Sequence, residues 1–163
     1  MTTAGTLHMI CGKIAAGKST LPATLAKLSN TIVLSEDVWL SGLYRDEMKT
    51  VADYMRCSAK LRAVIGPHIA QLLRTGLSVV LDFPANTLLT RAWMREIIQH
   101  AGADHQLHYL DVPDEVCRAR LRARNASGTH EFAATDAEFD LITSYFVVPT
   151  EAEGFNVIVH KPG

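Results

Sequence analysis

Gly12, four further residues, then Gly17-Lys18-Ser19: the stretch GKIAAGKST, residues 12–20, has the residue types and spacing of a phosphate-binding loop. Its chemistry is that of an anion cradle. Successive backbone N–H groups curl round phosphate oxygens while the positive end of a following helix points at them. Lys18 would reach the outer phosphates of a bound nucleotide, and the Ser19 hydroxyl would ligate Mg²⁺. Lys13, Ala15, Ala16 and Thr20 complete the cradle, with Ala15 standing where glycine is often found. The same pattern occurs by chance in chains that bind no nucleotide, so its flanks decide. An apolar run over residues 7–11 precedes it and a helical pattern over residues 21–28 follows, the context a nucleotide site needs.

Carboxylates come next. In parallel α/β sheets a ligand lies beyond the carboxyl ends of the strands, so polar residues at strand ends are candidates. Asp37, at the end of the second strand, could accept a proton from a substrate hydroxyl or position that hydroxyl for attack on a γ-phosphate. The plainer alternative is that Ser35 caps the next helix, with Glu36 and Asp37 near its positive end; both roles can coexist. Asp82 closes the apolar run Val79-Val80-Leu81, a Walker B arrangement in which a carboxylate holds Mg²⁺ directly or through water. A turn residue before Pro84 is its plainer reading. Asp111 reads as a turn or cap before Pro113.

The arginines sort by helical geometry. From Pro113, a step of about 100° per residue puts Val116, Cys117, Ala119, Leu121 and Ala123 on one apolar arc. Arg118 and Arg122 fall opposite, as a solvated face. Arg120 and Arg124 fall inside the arc, where a long cation needs an anionic partner; bound phosphate is one candidate, a structural carboxylate another. Arg91 borders the apolar arc of its own helix just after Asp82 and is a weaker substrate-side candidate.

The elements that must carry these residues alternate strand and helix. Strands are expected over residues 7–11, 31–35, 77–82, 106–110 and 156–159. Helices are expected over 21–28, 36–49, 51–74 with a break or kink at Gly66-Pro67, about 87–101, 113–125 and 135–146. Strands that are apolar throughout imply a parallel sheet covered by helices on both faces.

At 163 residues with 48% apolar and 20% charged content, the chain is one domain able to bury its own core. A net charge of −1 shows no bulk attraction to nucleic acid or anionic membrane. No apolar run approaches the ~20 residues of a membrane span, and the N-terminus has no basic-then-apolar leader pattern. The expectation is a soluble, cytoplasmic protein, monomer or homodimer, with no membrane partner. Cys11, Cys57 and Cys117 are scattered in apolar segments and read as reduced, buried thiols. His105 and His108, three apart on a strand, point to opposite faces and make a poor ligand pair.

Together GKIAAGKST, LSEDVW, VVLDFPANTLLTR and the RLRAR run resemble the small P-loop kinases. The likeness is to the AAA-type ATP-binding, zeta-toxin and polynucleotide-kinase-like branch, related to gluconate and shikimate kinases. The resemblance runs to about Asn125. It implies an α/β P-loop NTPase three-layer sandwich with a five-stranded parallel sheet of order 2-3-1-4-5, ATP with Mg²⁺, Asp37 on the acceptor side, and Arg120 and Arg124 as lid arginines. The lid would span about residues 120–132 of a single domain, 1–163. Polynucleotide kinases of this type carry an arginine shortly after the acceptor aspartate, whereas Val38-Trp39-Leu40 follows here. That lowers a nucleic-acid acceptor, leaves Arg45 as a substitute, and offers Trp39 as an apolar or ring-shaped acceptor contact or simply a packing residue. The expected activity is transfer of the γ-phosphate of Mg·ATP to a small-molecule hydroxyl. The alternatives are a polynucleotide or nucleotide-sugar kinase, and a nucleotide-binding switch with slow hydrolysis.

Overall fold

Five short apolar runs pair side by side into one parallel sheet. The computed structural model describes residues 3–17, 20–127 and 135–162. Lys18, Ser19 and the lid residues 128–132 lie outside the described residues. The strands are β1 (Thr6–Cys11), β2 (Thr31–Ser35), β3 (Ser78–Pro84), β4 (Asp104–Leu110) and β5 (Val157–His160), in the order β2-β3-β1-β4-β5. Each adjacent pair is parallel. The expected architecture and strand order are therefore those observed. The helices are α1 (Thr20–Leu25), α2 (Glu36–Tyr44), α3 (Val51–Arg74), α4 (Leu88–Ala101), α5 (Asp114–Ser127) and α6 (Asp136–Ser144).

Strand alternation divides the core. Leu7, Met9 and Cys11 of β1, with Val79, Leu81 and Phe83 of β3, belong to the main cluster, which includes Leu61, Ile65 and Ile69 of α3 and Met94 and Ile97 of α4. A smaller cluster joins Ala16 of the loop to Val112, to Cys117 and Leu121 of α5, and to Phe139 of α6. That second cluster seats α5 and α6 against the loop. Helix starts follow their caps: Ser35 accepts from the Val38 N–H, Thr87 from the Thr90 N–H, and Thr50 and Thr135 form capping boxes with Asp53 and Glu138.

Several elements differ from expectation, among them α2, which ends at Tyr44 and gives way to a 3₁₀ turn, Arg45–Glu47. Helix α1 stops at Leu25 because the chain tightens there, Leu28 N–H bonding to the Leu25 carbonyl at 3.0 Å before Asn30 takes φ 52°. Helix α3 runs unbroken through Gly66-Pro67. Gly66 serves packing instead: a Cβ there would lie 3.0 Å from the Trp93 indole nitrogen on α4. Strand β3 continues past Asp82 to Pro84, and its register against β1 shifts between Met9 and Ile10, so that Ile10 faces Pro84.

His105 and His108 do not come together, yet His108 meets two other imidazoles. His8 Nδ1 lies 3.2 Å from His108 Nε2, and His108 Nδ1 lies 2.9 Å from His160 Nε2, a chain across β1, β4 and β5. His8 and His108 are buried. All three cysteines are buried and none is in a disulfide. Among the described residues no helix is long and apolar enough to cross a membrane.

Candidate nucleotide site

The loop leaves the carboxyl end of β1, the central strand. Ala16 N–H bonds back to the Lys13 carbonyl at 3.1 Å, closing a turn in which Ala15 has φ 62°; Gly17 follows at φ 97°. The third position of such a turn favours glycine, so Ala15 holds a strained backbone there at roughly 1 kcal/mol. Successive N–H groups in this bent conformation form the concave nest that anions occupy.

The loop's first residues are held from outside. The Gly12 N–H donates to Asn86 Oδ1 at 2.9 Å, and Asn86 Nδ2 donates to the Gly12 carbonyl at 2.9 Å. Lys13 pairs with Asp114 at the start of α5, its ammonium 5.6 Å from the Phe146 ring centroid. Asn86 stands just before the expected start of α4, where no role was expected of it. The signal for more was an amide residue directly after the Asp82 strand, but its partner is 74 positions away.

The lid arginines separate. Arg120 is exposed, not part of the buried arc. Its Nη1 stands 3.5 Å from where a Gly17 side chain would begin, directly over the loop. Arg124 is half-buried, and its Nε is enclosed with no hydrogen-bond partner among the described residues. An enclosed guanidinium donor without a partner, one turn along α5 from Arg120, fits an anionic ligand. Arg118 and Arg122 are not a purely solvated face either. Arg118 pairs with Asp140 and stacks over Phe139 at 4.7 Å, while Arg122 pairs with Asp136 at 2.6 Å, joining α5 to α6. The arc was overestimated because Ala119 and Ala123 are exposed; Cys117 and Leu121, one turn apart, are what α5 buries.

On the other side of the loop stand the carboxylates. Asp82 lies opposite Ser35 in the β2–β3 register, between the end of β2 and the loop. Carboxylate and hydroxyl oxygens are the hard donors Mg²⁺ takes, so Asp82 and Ser19 fit that ion in kind. Asp37 is exposed at the start of α2, where it lines an open concavity with Val38, Ser41, Gly42 and Arg45. Its neighbour Glu36 turns inward, accepting from Tyr54 Oη and from Ser58 Oγ, the latter at 2.8 Å. Burial pushes the Glu36 carboxyl above its usual range, partly offset by those two donors.

Two expected substrate contacts lie elsewhere. Trp39 sits on the far side of α2 from Asp37, in an apolar groove with Leu43, Leu61, Val64 and Ile65. Two residues along a helix is about 200° of rotation, which separates them. Arg91 is fully enclosed, and each nitrogen of its guanidinium is engaged: Nε with Glu153 Oε1 at 2.8 Å, Nη2 with Oε2 at 3.2 Å, Nη1 with the Ala85 carbonyl at 2.9 Å. A buried cation found its carboxylate 62 residues on.

A central-strand phosphate loop on a parallel sheet of order 2-3-1-4-5 defines a P-loop nucleotide-binding domain. The AAA domain family profile matches residues 7–149, and the chain belongs to that family. Among solved structures it is similar to a candidate kinase from Chloroflexus aurantiacus, with TM-score 0.77 and 20% identity over 99% of this chain and 86% of that one. It is also similar to the Mycobacterium tuberculosis APS kinase CysC solved with AMPPNP and APS, with TM-score 0.66 and 22% identity over 98% and 89%. A third is Chaetomium thermophilum Kti12 in complex with ADP-AlF3, with TM-score 0.70 and 14% identity over 95% and 88%. These likenesses show a shared fold. No protein of curated function matches the chain in sequence.

Proposed function

We propose that this chain is an ATP-dependent phosphotransferase that moves the γ-phosphoryl group of Mg·ATP to a hydroxyl of a small molecule. The observation that carries the reading is the order of groups along the carboxyl ends of three adjacent strands. Asp37 follows β2, Asp82 stands on β3, and the phosphate loop follows β1. Two strand spacings, about 10 Å, separate the ends of β2 and β1, room for a hydroxyl between carboxylate and phosphate.

In this reading Lys18, Arg120 and Arg124 bind the phosphates and stabilise charge on the transferring group. Bound Mg²⁺, held by Ser19 and Asp82, would neutralise charge on the β- and γ-phosphates. Asp37 orients the attacking hydroxyl and takes its proton as the new oxygen–phosphorus bond forms and ADP departs. The concavity beside Asp37, not the groove under Trp39, is the acceptor surface. Arg91 supports the fold and touches no substrate. The CysC structure, which shares the fold, holds AMPPNP and APS together.

The test is ADP release from Mg·ATP across a library of sugars, nucleosides, antibiotics and 5′-hydroxyl oligonucleotides. An acceptor that stimulates turnover in wild type, and fails to do so in Lys18→Ala and Asp37→Asn, is the expected result. Asp37→Asn should keep nucleotide binding while losing about 10²-fold or more in transfer. Slow ATP turnover that no acceptor stimulates and Asp37→Asn leaves unchanged would overturn the reading in favour of a nucleotide switch.

A further inference from the structure

Gly12 is buried, and its peptide groups need partners that the neighbouring strand cannot supply. The backbone ladder between β1 and β3 ends at the Ala85 N–H, which donates to the Ile10 carbonyl at 3.0 Å. Beyond it the chain turns away into α4. In a parallel ladder the next rung belongs two residues further along β1, at Gly12. The Asn86 side chain occupies that rung, accepting from the Gly12 N–H and donating to the Gly12 carbonyl, both at 2.9 Å.

We propose that Asn86 is a positioning residue for the phosphate loop: its side-chain amide stands in for a peptide unit, extends the β1–β3 ladder by one rung, and fixes the direction in which the loop leaves the sheet. This rests on the loop being the nucleotide site. Only a carboxamide offers a donor and an acceptor side by side on so short a stem. Aspartate would offer two acceptors and oppose the Gly12 carbonyl; alanine would leave both Gly12 groups buried and unpaired.

The same residue reaches a second part of the molecule. The Asn86 backbone carbonyl accepts from the Val147 N–H at 2.8 Å. Val147 follows Phe146, whose ring faces the Lys13 ammonium, and precedes Glu153, which Arg91 holds. Loop, β3–α4 corner and the segment after α6 therefore meet at Asn86. Asn86 thus links that segment to the loop, beside the direct approach of Lys13 to Phe146.

Two measurements test this. In wild type without nucleotide, the Gly12 amide should exchange slowly with solvent, alongside those of β1; rapid exchange would overturn the proposal without any variant having to fold. Affinity for Mg·mant-ATP is then compared between wild type and Asn86→Asp at pH 8 and pH 6, with thermal unfolding confirming the folded state. The expected result is a deficit of about tenfold or more at pH 8 that narrows at pH 6, because burial against the Gly12 carbonyl raises the pKa of the introduced carboxyl, and its protonated form again offers a donor. A merely structural defect does not recover on acidification. An N86D variant that binds as tightly as wild type at pH 8, or with a deficit independent of pH, sinks the proposal alone. Failure of wild type itself to bind Mg·mant-ATP sinks the nucleotide reading and this proposal with it.

Discussion

Glu36 and Asp37 are adjacent carboxylates with opposite fates. Helical rotation of about 100° sends Glu36 inward with Leu40 and leaves Asp37 at the surface. Glu36 is only 3% exposed, and burial raises its pKa despite the Tyr54 and Ser58 hydroxyls and the Arg62 charge. A carboxyl with a raised folded-state pKa binds its proton more tightly folded than unfolded. Its contribution is therefore full below the unfolded value of 4.5 and is lost as pH rises through the folded value. Glu36→Gln should flatten this decline, and relative to wild type its stability should improve by about 1 kcal/mol between pH 5 and pH 8. Urea unfolding of both proteins across that range is the check; parallel curves would mean that Glu36 keeps its charge at no cost.

Between elements, the Arg91–Glu153 pair is the main polar clamp. It binds α4 to the short 3₁₀ turn Glu151–Glu153 that leads into β5, and Arg95 adds a hydrogen bond to the Glu153 carbonyl while its guanidinium lies 4.2 Å from the Phe155 ring. The connection from α6 to β5 has little regular structure, so this clamp sets where edge strand β5 arrives. Removing one partner strands a charge in the interior. Glu153→Ala should cost about 3–5 kcal/mol, because Arg91 is then buried without its carboxylate. Adding Arg91→Met to Glu153→Ala should restore a good part of that loss, since the uncompensated charge is gone. Equilibrium denaturation of the single and double variants decides it. A single-variant loss below about 1 kcal/mol would show that the segment is held by packing instead.

Across the whole sheet, the His8–His108–His160 chain makes stability sensitive to acid. Burial, then the charges of His8 and His160, bring the His108 pKa down to about 4; burial lowers His8 as well, against a hydrogen bond it donates to Gln106. The unfolded imidazole titrates at 6.5, so the unfolded state binds more protons as pH falls below that value. Stability is thus full above pH 6.5 and declines toward pH 4, by up to roughly 3 kcal/mol for His108. His108→Gln should flatten this acid limb while leaving the slope above pH 6.5 unchanged, as read from denaturation midpoints between pH 4 and pH 8. With Glu36 acting in the opposite sense, the maximum should fall near neutral pH.

Local pattern sufficed for the loop and for five apolar strands and six helices. Each depends on spacing within one element, and apolar period is a property of a short window. The strand order was implied by the resemblance, and the sheet has it. Partnerships were not legible. Gly12 and Asn86 are 74 residues apart, Arg91 and Glu153 are 62 apart, and His8 and His108 are 100 apart, and no spacing encodes such meetings. Arg120 was misplaced because small alanines suggested an apolar arc that packing did not use. Which face of a helix is buried, and which charge finds a partner, depend on what the rest of the chain brings opposite it; that is settled by register and packing, after the elements exist.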